Sequence, residues 1–81
     1  MALICGREGV GQQRAFGRRI RELRQARGWT QEELGHRTRR HWTYIGGIER
    51  GERNPTLKVI ADLAAAFDVP VAHLFSNGGK P

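Results

Sequence analysis

Apolar residues recur along this chain at helical spacing and never at strand spacing, in short runs broken by turn and cap residues. From Gln12 to Arg27, Phe16, Ile20, Leu23 and Ala26 stand at i, i+4, i+7 and i+10. That is one helical stripe, and the opposite side carries Arg14, Arg18 and Arg21. Gly28 is a suitable stop. Thr30-Gln31-Glu32-Glu33 reads as a capping box, in which the Thr30 hydroxyl accepts the Glu33 amide and the Glu33 carboxylate reaches back to the Thr30 amide. It predicts a second helix from Gln31 to about Thr38, with Leu34 inward. Tyr44, Ile45 and Ile48 predict a third over roughly 42–50, closing at Arg50-Gly51. Asn54-Pro55-Thr56 is a start signal, with Asn54 or Thr56 as cap. Leu57, Ile60, Leu63, Ala64 and Phe67 then form a fourth amphipathic helix, and Pro70 opens a last turn or two in which Val71, Leu74 and Phe75 share a face. The expected fold is all-α, five short helices over residues 12–75. Residues 1–11, with three Gly and no period, are expected to be a flexible arm containing Cys5, and residues 76–81 a disordered tail.

At 81 residues the chain has room for one thin-cored domain. Its net charge is +6, carried by twelve Arg and two Lys against eight acidic residues. All twelve Arg and six Glu lie in residues 1–53, whereas residues 54–81 are neutral and apolar. A basic face for a polyanion and a sticky face for another protein chain follow from that division. A single Cys excludes an internal disulfide and fits a reducing compartment. His36, His41 and His73 lack metal-ligand spacing, and no nucleophile or paired carboxylates are set out for catalysis. Neither an enzyme, a metal or cofactor site nor a small-molecule ligand is expected. No apolar run approaches the roughly 18–20 residues of a membrane span, and the start MALIC is too short for a signal core. The expectation is a cytoplasmic protein.

Two short helices joined by a tight turn and flanked by Arg suggest a helix-turn-helix. The strings Trp29-Thr30-Gln31-Glu32-Glu33-Leu34, Tyr44-Ile45-x-Gly47-Ile48-Glu49-Arg50-Gly51 and Arg53-Asn54-Pro55-Thr56-Leu57 resemble the lambda-repressor/Cro-type helix-turn-helix family, from about Phe16 to Phe75. Within it, Thr43-Tyr44-Ile45-Gly46-Gly47-Ile48-Glu49-Arg50 is most similar to controller proteins of restriction–modification systems. Leu34, Ile45 and Ile48 take the places that pack the two helices, with Gly35 at their closest crossing. Thr38 and Arg40 stand where the family is usually apolar. Arg39 replaces the family's turn Gly, and a positive φ there would cost on the order of 1 kcal/mol, which predicts a turn of different shape.

The resemblance implies a sequence-specific regulator that reads double-stranded DNA with the start of its third helix, through Trp42, Thr43 and Tyr44, and with Gly46 and Gly47 one turn on. Thr43 offers a hydroxyl and a methyl to base edges. Trp42 either presses on thymine methyls or sugars or packs on the turn, and Tyr44 either contacts DNA or partly packs. Two adjacent glycines in a helix cost about 2 kcal/mol relative to Ala, so a reason is needed: close approach to DNA or close packing on another helix. Phosphate anchors are expected at Gln31, Arg39, Arg40, Arg50, Arg53 and Asn54. Arg24 and Glu49 form a structural ion pair by resemblance. The family binds as a two-fold dimer, and Val69, Val71, Leu74 and Phe75 supply the expected seam. The alternative is an antitoxin that represses its own promoter and also binds a toxin protein.

Overall fold

The computed structural model describes the backbone of residues 4–75 and the side chains of 11–75. Among the described residues there are four α-helices, α1 (Ile4–Ala26), α2 (Gln31–Thr38), α3 (Trp42–Glu49) and α4 (Leu57–Phe67), followed by a 3-10 helix over Val71–Phe75. The all-α expectation holds, with the fifth element a tighter 3-10 turn. The expected arm differs: residues 4–11 continue α1 rather than standing apart from it. Adding residues to a formed helix needs no new nucleus, so three glycines lower its propensity without ending it. Residues 1–3 and the expected tail 76–81 lie outside the described residues.

Caps set where each helix begins. The Thr30 hydroxyl accepts the Glu33 amide at 3.0 Å, while the Glu33 carboxylate turns outward to Arg37 at 2.7 Å. The capping box is therefore one-sided. Thr56, not Asn54, caps α4 and accepts the Val59 amide.

Every α-helix ends in the same way. An amide two or three residues past the helix closes on a carbonyl five residues back: Trp29 on Arg24, Arg40 on Gly35, Glu52 on Gly47 and Val69 on Ala64, all at 2.8–3.1 Å. This closure places one residue in the left-handed region. Gly28 (φ 72°) and Gly51 (φ 78°) meet that need freely, but Arg39 (φ 58°) and Asp68 (φ 59°) do not. The turn between α2 and α3 thus keeps the shape that a glycine would give it, contrary to the expected distortion, and Arg39 carries the strain. Arg39→Gly is expected to raise stability by about 0.5–1 kcal/mol, read as a higher urea midpoint. A lower midpoint would contradict this placement of the strain.

The core is Phe16, Ile20, Leu23, Leu34, Ile45, Ile48, Val59, Leu63, Ala64, Phe67 and Leu74, with Trp29, Tyr44, Ile60, Ala66 and Val69 packed around it. α3 lies between α1 and α2, α4 backs α2, and the 3-10 helix rests on α1 and α4. Arg19 ties that last element down, with Nε 3.2 Å from the His73 carbonyl and a terminal nitrogen 2.8 Å from His73 Nε2. Ala26, expected on the inner stripe, is exposed, as is Leu57 at 77%. Leu74, expected in a dimer seam, is fully buried and belongs to the core, and Val69 is half-buried against it. Val71 and Phe75 remain exposed at 39% and 58%.

Candidate nucleic-acid interface

α3 presents only its first turn to solvent. Trp42 is 46% exposed and Thr43 is exposed, whereas Ile45 through Glu49 are buried without interruption. Tyr44 is half-buried against the core, and the Arg53 guanidinium lies 5.6 Å from its ring centroid. Of the two roles open to Tyr44, partial packing is the one the structure displays. Trp42 stacks on His41 with 5.7 Å between ring centroids.

Gly46 and Gly47, expected either to approach DNA closely or to pack closely, are buried beneath the chain's own side chains. A Cβ on Gly46 would stand 3.0 Å from an Arg50 guanidinium nitrogen and 3.4 Å from Gln31 Oε1. One on Gly47 would stand 2.7 Å from Arg53 Cγ. The two glycines therefore form a floor on which Gln31, Arg50 and Arg53 lie flat. The space that the two glycines leave is taken by the side chains of Gln31, Arg50 and Arg53, one turn beyond Trp42 and Thr43.

The donors differ in how far they are already engaged. Arg39 and Arg53 are exposed and have no ion pair among the described residues, and Asn54, next to Arg53, is also exposed. Arg50 is exposed and its Nε meets the Glu52 carboxylate at 3.1 Å. The hydrogen bond and charge of Arg50 lower the pKa of Glu52. Gln31 donates from Nε2 to Glu49 at 3.1 Å. Arg40 corrects the expectation: it donates to the Thr38 carbonyl at 2.9 Å and pairs with Asp62 of α4 at 3.0 Å. That pairing ties the turn to α4. The same turn hides Thr38, whose hydroxyl donates to the Leu34 and Gly35 carbonyls at 2.9 and 3.2 Å. Those bonds explain how a polar residue stands in an apolar place.

The Arg24–Glu49 pair joins α1 to the end of α3. The Glu49 side chain is fully buried and accepts from Arg24 at 2.6 and 3.1 Å, from Gln31, and from Arg21 at 3.3 Å. Arg24 also donates to the Trp29 carbonyl at 2.8 Å. Burial by itself raises the Glu49 carboxyl, but the hydrogen bonds from Arg24, Gln31 and Arg21 outweigh it and hold the group below its ordinary value. Arg21, expected only on the outer side of the first helix, is half exposed and reaches Glu49, a link that sequence reasoning missed. Its position three residues before Arg24 in the same helix was the available signal.

A helix whose first turn protrudes between flanking Arg side chains is the geometry of a helix-turn-helix reader. A family model described as a helix-turn-helix domain matches residues 15–74. The chain belongs to that helix-turn-helix family. Control protein C.SmaI of Serratia marcescens is 38% identical to this helix-turn-helix chain over 60 residues, covering 74% of the chain and 71% of that protein. Control protein C.BamHI of Bacillus amyloliquefaciens is 38% identical over 55 residues, covering 67% and 68%. Among solved structures, the restriction-modification controller protein C.AhdI from Aeromonas hydrophila superposes with a TM-score of 0.78 at 43% identity, over 80% of this chain and 98% of that one. The helix-turn-helix protein is a DNA-binding transcription regulator. No described helix is long and apolar enough to cross a membrane.

Proposed function

We propose that the protein acts in the cytoplasm as a two-fold dimer on a pseudo-palindromic operator, controlling its own and neighbouring genes in the manner of restriction–modification controller proteins. The observation that carries this reading is the exposed start of α3, Trp42 and Thr43, beside the donors laid over Gly46 and Gly47. One such surface is small for locating a single site in a genome, and a symmetric pair doubles it. Leu57, Val71 and Phe75 are exposed apolar residues, which suits a seam between copies. Phe75 also packs against Phe16 in a tilted arrangement, with 5.1 Å between centroids, so its ring is held in place for a partner.

Footprinting on DNA upstream of its own gene tests the proposal. Two symmetric protected half-sites about one helical turn apart, or a multiple of it, are expected. A single unpaired footprint, or none, would overturn it. Two substitutions separate anchoring from reading. Arg53→Ala should weaken binding to all sequences alike and reduce the salt slope by about one per protomer, about two for the dimer. Thr43→Ala should mainly relax base preference, and equal losses on operator and random DNA would contradict its reading role.

A further inference from the structure

One buried carboxylate at the end of α3 faces two guanidinium groups of α1, so one positive charge is left over there. Glu49 accepts from Arg24 at 2.6 and 3.1 Å and from Arg21 Nε at 3.3 Å. Arg24 is fully engaged. Its Nε and one terminal nitrogen hold Glu49, the other donates to the Trp29 carbonyl at 2.8 Å, and its side chain is 12% exposed. Arg21 differs: its side chain is 49% exposed and only Nε is bonded. Its two terminal nitrogens have no hydrogen bond among the described residues.

Those free nitrogens stand at the end of a row of donors. The Glu49 oxygen that receives Arg21 Nε also receives Gln31 Nε2 at 3.1 Å. Arg21 and Gln31 are therefore held a single acceptor atom apart. The Gln31 amide in turn lies over Gly46 alongside the Arg50 guanidinium, and Arg53 lies over Gly47. The row thus runs from α1 through the start of α2 to the residues that follow α3. Its α1 member is fixed before any ligand arrives, because Nε is tied to a buried carboxylate, so less side-chain freedom is lost when the outer nitrogens bind.

We propose that Arg21 is a DNA-backbone contact whose terminal nitrogens donate to one phosphate in each half-site. The proposal rests on the reading above that the face bearing Gln31, Arg50 and Arg53 meets DNA. A phosphodiester suits the position because it is an anion whose two free oxygens match the planar guanidinium fork. Glu49 then has a second task. Besides tying α1 to α3, it aims Arg21.

The test uses Arg21→Gln, whose amide nitrogen lies as many bonds from the backbone as Nε does and can still donate to Glu49. The variant therefore keeps the internal bond and loses the charged fork. Its thermal midpoint should stay close to the parent's. Its binding to operator and to random duplex should weaken alike, about tenfold per protomer, with the salt slope reduced by about one per protomer. A panel of operator duplexes, each with one phosphate replaced by an uncharged methylphosphonate, locates the contact. One replacement per half-site should weaken the parent and have no further effect on Arg21→Gln, while the other sensitive phosphates weaken both. Lys58→Ala removes an equal charge from α4 and should leave the salt slope and the phosphate profile unchanged. Parent-like binding by Arg21→Gln, the same phosphate profile as the parent, or an equal slope change in Lys58→Ala would each overturn the proposal. If Arg53→Ala still lowers the slope, that failure is confined to Arg21. If it does not, the assignment of the whole row to DNA falls with it.

Discussion

Glu49→Ala is expected to lower the unfolding free energy by about 3–5 kcal/mol, as removal of one partner from a buried ion pair does. Its carboxylate is fully buried and accepts from three side chains at once. Without it, the Arg24 guanidinium, only 12% exposed, retains a single carbonyl partner. A domain of this size has roughly that much stability in total, so the variant should be largely unfolded at room temperature by circular dichroism. The same pair gives an acid limb. The Glu49 carboxyl is held below its ordinary value of 4.5 in the folded chain. The folded state therefore releases that proton more readily than the unfolded one. This contribution is complete above about pH 4.5 and is lost as pH falls through the lower folded value. Urea midpoints measured across that window should fall on acidification for the parent. For Glu49→Gln they should start lower and fall less steeply, and an equally steep fall would contradict the assignment.

Gly17→Ala is the second large effect, expected to destabilise by about 1–3 kcal/mol although alanine is the better helix former by about 1 kcal/mol. A Cβ at this position would collide with the Ile48 carbonyl oxygen and stand 2.7 Å from that of Glu49. Both obstacles are backbone, so no side chain can swing aside and α1 must move away from α3. Gly11→Ala is the control on the same helix, because its Cβ would meet open space, and it should be neutral or mildly stabilising. A Gly17→Ala variant as stable as Gly11→Ala would show that α1 and α3 do not pack this closely. Since α1 backs the reading helix, the loss should appear in DNA binding as well as in the thermal midpoint.

Helix positions and most of the core were legible because periodicity and caps are local properties. Thr30 fixes where α2 starts, and Gly28 where α1 stops, through bonds within a few residues of each. The Arg24–Glu49 tie was legible only by resemblance, since 25 residues separate the partners. What the sequence could not reveal depends on which neighbour lies above a given atom. Gly46 and Gly47 read equally as DNA-facing or packing glycines, and only the fold shows Gln31, Arg50 and Arg53 lying over them. Arg40 read as one more cation in a basic turn until α4 brought Asp62 to it. Leu74 and Val71 share an apolar string, yet the 3-10 winding buries one and exposes the other. Gly17 carried no signal at all, because the surface it fits belongs to a helix thirty residues on.

The central claim, that the first turn of α3 meets DNA, has an internal reporter in the two tryptophans. Trp42 lies on that turn, whereas Trp29 is packed between Phe67 and the Arg37 guanidinium, 5.6 and 4.1 Å from its ring. In a nitrogen–proton NMR spectrum recorded with operator duplex, the Trp42 indole and the Thr43 amide should shift strongly while the Trp29 indole stays in place. Movement of Trp29 with Trp42 unchanged would contradict it.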